Sequence, residues 1–572
     1  MRLVRSPLRA SSTSEARGLF ASLVLVGIMY GRSLRYGFVR EGEATFAAAL
    51  GLTDLTGVWT GFLRNLSAVA ADPNIFSPLW RPTVNLTFLI AGWLGGGEAW
   101  AFRLIGLTTL VVLGWAARRL VGRGMGRDLV LCLVVFHPMM SAAVLDITAL
   151  PMLLMATFTV LALNHQGRTA FIFTLLAMGA HEAAAVTPLL AIAFARGGDG
   201  AMRSDARWQG PFLAVVVWWS VLAALMFAGV VGREAISIPT VDGAIDAAAQ
   251  VWFYLERLIL PFSPLYARTA PVFGPPWTGV AWIGLFVALW LSLRTGSARL
   301  KPIGPGFAAG FTTILLSLLG MGGFLSESPG YGEGRLALPI VGFAWMLASR
   351  PPVRVAAWTL VPLFAVLSMM RVGVWSDPNQ LWAESHKARP NDTMVALEYG
   401  QRLITGDPSS AMELFSQVLA ANPSESHAFR AHVGAIQARF ELGDERGALP
   451  HLAATADPED ERNGWLLVRR CILETRYSVD EAQYPVGMVV SPLVRVCGEA
   501  SSRFPQHARL ANAAGIEAAI RGDIGRAQTL IQRAVELAPN NAEYRETFSR
   551  IPMNTLGWIS EEPLSPDPAA AP

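Results

Sequence analysis

Eleven apolar stretches fill the first two thirds of this 572-residue chain, near 19–34, 100–117, 128–144, 148–164, 169–181, 183–195, 211–231, 277–293, 304–321, 336–349 and 355–371. A helix that crosses a bilayer needs about 20 predominantly apolar residues, slightly fewer where polar flanks snorkel. Repeated so often, the pattern predicts an all-α, polytopic membrane helix bundle of about eleven spans and argues against a soluble enzyme. Composition agrees, with 52% apolar and only 16% charged residues. The weakest division lies at 169–195, where Gly179, His181 and Glu182 interrupt what could be one long stretch.

Arginines orient the bundle. Arg2, Arg5, Arg9 and Arg17 precede the first stretch, Arg118, Arg119, Arg123 and Arg127 follow the second, and Arg196, Arg203 and Arg207 follow the sixth. Arg294, Arg299 and Lys301 follow the eighth, and Arg350 and Arg354 the tenth. If these loops share the cytoplasmic side, the N-terminus (1–18) is inside and everything beyond Arg371 is outside. A cleaved signal peptide is the alternative for the first stretch, but Gly31-Arg32-Ser33-Leu34-Arg35 is a poor cleavage site. Two long outer loops result, 36–99 and 232–276. The first contains Val84–Leu94, too short to cross, and the second contains Val251–Leu258; both suit interfacial helices.

The formal charge of +3 conceals two solvents. Residues 1–376 hold 28 basic and 17 acidic side chains, whereas 377–572 hold 18 and 26. Only Lys301 and Lys387 are lysine, a bias of the kind a GC-rich genome produces, and no basic patch interleaved with aromatics points to nucleic acid. The three cysteines, Cys132, Cys471 and Cys497, lack metal-ligand spacing; Cys471 and Cys497 can pair if the tail is exported.

After Trp375 one spacing recurs. Gly406-Asp407 precedes Ala411, Phe415, Val418 and Pro423; Gly443-Asp444 precedes Ala448, Leu452 and Thr455; Gly522-Asp523 precedes Ala527, Ile531, Ala534 and Pro539. This small-large-small-proline order is that of tetratricopeptide repeats, in which alanine lets paired helices approach. It predicts an α-solenoid over 377–556 that presents a binding surface, an unrelated helical bundle being the alternative. The proline-rich end, 557–572, reads as disordered.

Charges on the outer rim are the informative ones, because a bilayer tolerates charge only where water, a partner or a ligand compensates it. They are Glu41 and Glu43 after the first stretch, Arg81, Arg103 at the mouth of the second, His137, Asp146, His181-Glu182, and Glu333 with Arg335 before the tenth.

In this order the motifs resemble those of the transmembrane, tetratricopeptide-repeat O-mannosyltransferases, members of the GT-C superfamily that use lipid-phosphate sugars. Phe38-Val39-Arg40-Glu41-Gly42-Glu43 sits where that family has its acidic pair. Trp80-Arg81-Pro82-Thr83 resembles its aromatic-Arg-Pro segment, and Phe136-His137-Pro138 its Leu-His-Pro turn. The stretch from Ala180-His181-Glu182 to Pro188-Leu189 resembles its Ser-Lys-Glu segment, and Glu333 to Phe343 its Glu-Arg-Tyr to Ile-Gly-Phe segment. The resemblance covers roughly 19–540, with the GT-C-like bundle at 19–372. The second acidic residue is displaced to Glu43, His181 replaces lysine, and the family's arginine after the glutamate falls one position on, at Arg335.

The resemblance implies transfer of a sugar, mannose first of all, from a polyprenyl-phosphate donor to Ser or Thr of an exported protein held by the repeats. The chain would sit in a bacterial inner membrane with the repeats periplasmic. Glu41, or Glu43 in its place, would take the hydroxyl proton, while Arg81, Arg103, His181 and Arg335 would receive the leaving phosphate. Glu182, Glu333 and His137 would support them, His137-Pro138 chiefly as a turn. No cofactor is implied; Glu41 and Glu43 leave room for a divalent metal. A membrane-anchored, non-catalytic repeat scaffold is the rival reading.

Overall fold

The computed structural model describes residues 12–39, 81–121, 125–197, 208–227, 254–261, 310–314, 333–349, 351–423, 425–455, 470, 497, 501–502, 508–520, 523–539 and 541–550. Every regular element among them is helical. The chain forms two compact units, Met1–Asp392 and Thr393–Pro572.

In the first unit α1 (Ser12–Tyr30) runs into a 3-10 turn, Gly31–Arg35. Then follow α2 (Pro82–Gly95), α3 (Ala99–Arg119), α4 (Met125–Phe136), α5 (Met140–Leu145), α6 (Leu150–Asn164), α7 (Gly167–Ala180), α8 (Thr187–Gly197) and α9 (Gln209–Phe227). After the turn Glu333–Leu336 come α10 (Ala337–Ala348), α11 (Pro351–Ala357), α12 (Leu360–Val374) and α13 (Pro378–Ala388).

Three of these helical segments, Ala99–Arg119, Ile147–Asn164 and Pro351–Val374, are long and apolar enough to cross a membrane. They coincide with the expected spans at 100–117, 148–164 and 355–371. Gly167–Ala180, Glu182–Phe194, Gln209–Leu225 and Ala337–Ala348 are apolar but shorter. The expected span 128–144 is two pieces, α4 and α5, because Pro138 cannot continue the ladder. The expected spans 277–293 and 304–321 lie outside the described residues, apart from helical 310–314.

Burial ranks the candidate spans. The best window of Ile147–Asn164 is 83% buried, that of Pro351–Val374 only 17%. A helix apolar all round and covered on every side is a core helix; one that shows its apolar side chains outward suits a lipid-facing position. Accordingly α6 packs on α3, α5, α7 and α10, while α12 lies against α4, α5 and α1. Val355, Val366 and Met370 are exposed on the outer helix pair, as are Phe20, Leu23 and Ile28 on α1. At 14 residues, or about 21 Å, α2 is too short to cross, as expected for the Val84–Leu94 segment.

The second unit is built of helical hairpins: α14 (Thr393–Leu403) with α15 (Pro408–Ala420), α16 (Glu425–Glu441) with α17 (Glu445–Thr455), and α18 (Ala508–Ile520) with α19 (Ile524–Leu537); α20 (Ala542–Arg550) packs on α19. The aspartate of each Gly-Asp pair caps the second helix of its hairpin. Asp407 accepts from the Ser410 amide at 3.1 Å, Asp444 from Gly447 at 2.9 Å and Asp523 from Arg526 at 3.1 Å.

Ala411, Ala448 and Ala527 are fully buried where paired helices meet. Phe415 covers Gly400 and Gly434, and Ile531 covers Gly515; a Cβ at any of these glycines would fall within 2.9 Å of the covering ring or side chain. The unit begins at Thr393 rather than 377, since α13 belongs to the first unit. Cys497 is disulfide-bonded and Cys132 is free; Cys471 lies outside the described residues, as does 557–572.

Candidate functional site: a guanidinium, carboxylate and imidazole cluster

The cluster begins with a close approach of two helices. Gly179, near the end of α7, lies so near the start of α2 that a Cβ there would stand 2.4 Å from Thr83 Oγ1. Thr83 in turn donates its hydroxyl to the Leu176 carbonyl at 3.0 Å. This contact sets Arg81, the residue before α2, beside Glu182, just past α7. Arg81 precedes Pro82 and is held off helical geometry at φ −124, ψ 74. Its Nη2 reaches both carboxylate oxygens of Glu182 at 3.0 Å, and its Nε reaches Oε2 at 3.2 Å. The side chains are 15% and 11% exposed, so this fork is largely removed from water.

His181 is extended, at φ −163 and ψ 136, and breaks the helix between α7 and the turn Glu182–Val186. Its Nδ1 accepts the Ala183 amide at 3.1 Å. The neutral ring therefore carries its proton on Nε2, which points at Glu182 Oε1, 3.4 Å away. Glu182 thus faces both Arg81 and His181. Arg335 is buried in the turn Glu333–Leu336, and its guanidinium, with that of Arg81, bears electrostatically on the His181 ring. Two segments far apart in sequence, at 81 and 181–182, therefore meet, and the charge of Arg335, from a third, reaches the imidazole. That turn packs against α5 and α6.

The other nominated residues are placed differently. Arg103 is 1% exposed and reaches main-chain oxygens: Nη1 donates to Leu145 at 2.9 Å, Nε to Tyr36 at 3.3 Å, and Nη2 to Gly37. It stands as a clamp between α3, α5 and the segment after α1, and not at a lipid-facing mouth. His137 is fully buried; its Nδ1 accepts the Met139 amide at 3.3 Å and its Nε2 donates to Leu258 at 3.1 Å. With the Phe343 and Phe364 rings edge-on to it, it fits the turn role. Asp146 caps the next turn, accepting from Thr148 N at 2.8 Å. Glu41 and Glu43 lie outside the described residues, and so does the side chain of Glu333.

In sequence Arg371 is the residue at which the last apolar stretch ends. It is 2% exposed on α12 and donates from Nε to Ser141 Oγ at 3.1 Å. Around it the break between α4 and α5 is repaired. The Val135 carbonyl accepts from Tyr30 at 3.0 Å and the Phe136 carbonyl from Ser368 at 2.7 Å. A cation inside an apolar run was the available signal.

No family model and no curated protein matches this chain. Among the described residues no group of three or more His, Cys, Asp or Glu side chains could hold a metal ion. What the cluster offers chemically is a largely buried guanidinium forked onto one carboxylate, an oriented imidazole on the same carboxylate, and a second guanidinium, Arg335, whose charge reaches that imidazole. Such an arrangement suits an anionic group with several oxygens.

Proposed function

We propose that this protein is an integral-membrane glycosyltransferase of the GT-C kind, resembling the tetratricopeptide-repeat O-mannosyltransferases. It moves a sugar, mannose in the first instance, from a polyprenyl phosphate to Ser or Thr of an exported protein. The observation that carries this reading is the meeting of Arg81 with Glu182 and His181 in one largely buried cluster, within electrostatic reach of the buried Arg335. Transfer from a lipid phosphate leaves negative charge on the departing oxygens, and preoriented cations in a water-poor site stabilise it most. Glu182 holds Arg81 and His181 in place, and Glu41, with Glu43 as its substitute, takes the acceptor proton. Arg103, with its carbonyl partners, acts on the scaffold and not on phosphate.

The acceptor is held by the C-terminal unit, whose capped helical hairpins support the tetratricopeptide reading. The disulfide at Cys497 supports its export to an oxidising compartment, periplasmic if the membrane is a bacterial inner one.

A second reading, a membrane-anchored scaffold without catalysis, draws on one specific observation. Arg81 already has a carboxylate partner and Arg103 three carbonyls. The two readings separate in one assay: full-length protein in nanodiscs, labelled polyprenyl-phosphate mannose, and a Ser/Thr peptide. Transfer that falls at least about 100-fold in Glu41→Gln or Glu43→Gln supports the enzyme. No transfer by the wild type, with binding of exported proteins intact, establishes the scaffold.

A further inference from the structure

The four residues after the first helix and its turn are held one by one. Tyr36 is extended at φ −84, ψ 144, so its neighbours' carbonyls have no helical donors. The Tyr36 and Gly37 carbonyls accept from Arg103, 67 and 66 residues away in sequence. The Phe38 ring stands edge-on to Phe102, with centroids 6.0 Å apart. Val39 is fully buried, and its carbonyl accepts the indole Nε1–H of Trp382 at 3.1 Å, across 343 residues of sequence. Arg103 and Trp382 are among the largest fully buried side chains of the protein.

A single such hydrogen bond would only satisfy a carbonyl. Two helices, α3 and α13, converging on the carbonyls of one four-residue segment do more, because they fix the direction in which the chain leaves Val39. A guanidinium suits this work: its planar fork can address the Tyr36, Gly37 and Leu145 oxygens together, which an ammonium cannot do in one geometry. Trp382 sits on the helix that follows the last apolar span, so the lead-in is held by two helices far apart in sequence.

We propose that Arg103 and Trp382 are positioning residues that clamp Tyr36–Val39 as a rigid lead-in, setting the point from which the chain presents the carboxylates that follow it. The clamp stands on the geometry alone; its kinetic consequence rests on the transferase reading above.

Full-length protein in lipid nanodiscs tests both parts. Trp382→Phe keeps the ring and removes the donor, and Arg103→Lys is the conservative partner of Arg103→Gln. Amide exchange in the peptide spanning 36–39 should rise about tenfold in Trp382→Phe, with α3 unchanged. Unaltered exchange overturns the clamp.

In the mannose-transfer assay, Trp382→Phe should lower kcat about tenfold while KM for the lipid donor stays within about twofold, and Arg103→Lys should retain more rate than Arg103→Gln. Unchanged kcat in a wild type that does transfer overturns the positioning role alone. If Arg103→Gln does not fold, Trp382→Phe decides. A wild type that transfers nothing, with exchange raised in Trp382→Phe, overturns the transferase reading and keeps the clamp.

Discussion

Two buried histidines, His137 and His181, use the same local device in different surroundings. Each ends a helix, and each accepts on Nδ1 the amide two residues on, Met139 at 3.3 Å and Ala183 at 3.1 Å. That bond fixes the tautomer in both and sends the Nε2 proton outward. At His137 it meets the Leu258 main-chain carbonyl between phenylalanine rings. At His181 it meets the Glu182 carboxylate with Arg81 and Arg335 close by. The same imidazole-to-amide bond therefore serves a structural joint in one place and a charged cluster in the other. What Nε2 faces makes the difference, and that is decided by other segments of the chain.

The contrast can be broken most sharply at Glu182. Glu182→Ala leaves the largely buried Arg81 without its carboxylate and should cost about 3 kcal/mol of stability. The double variant Arg81→Met, Glu182→Leu should recover most of it, as read by denaturant unfolding in detergent. His137→Ala comes next. It opens a cavity and leaves the Leu258 carbonyl without that donor, for a loss of about 2 kcal/mol, yet transfer per folded molecule should be unchanged. His181→Ala should do the reverse, lowering transfer about 100-fold with a smaller stability loss. If both variants lose stability and transfer in parallel, the division between joint and cluster is mistaken.

Smaller effects sharpen the picture of the joint. Tyr30→Phe removes the hydroxyl that repairs the Val135 carbonyl and should cost about 1 kcal/mol, with Ser368→Ala similar at Phe136. The smallest effect belongs to a third pair, His432 and His451 in the C-terminal unit, whose Nδ1 atoms lie 2.9 Å apart. Burial holds both below the ordinary value of 6.5, and for His451 the neighbouring His432 and Arg439 add to it. Because the unfolded chain then binds more protons, stability is full above about pH 6.5 and declines as pH falls through the lowered folded values. A pH series of thermal melts should show that decline in the wild type, and a flatter profile in His432→Gln, His451→Gln.

Much of this was legible in the sequence where local rules suffice. The apolar runs gave helices and the Gly-Asp pairs gave capped hairpin turns, because a carboxylate at that position caps the helix that follows, whereas the one span expected at 128–144 is two helices parted at Pro138. The pairing of His181 with Glu182 was readable because the residues are adjacent. Arg103 is ambiguous in sequence for a physical reason: an arginine at a helix mouth looks the same there whether it faces lipid phosphate or the carbonyls of a distant segment. The role of Arg371 is hidden in sequence because its partner Ser141 lies 230 residues away.

The amino-acid sequence by itself determined the helical character, the membrane-compatible apolar segments, the change from basic to acidic composition near residue 376 and the hairpin repeat, since these follow from periodicity and composition along the chain. Only the tertiary structure decided that Arg81 forks onto Glu182, that Arg335 stands near His181, and that Arg103 and Trp382 hold Tyr36–Val39. A buried charge takes its role from whichever donor or acceptor packing brings within about 3 Å, and that distance is set by helix approaches, such as Gly179 on Thr83, which no local rule encodes.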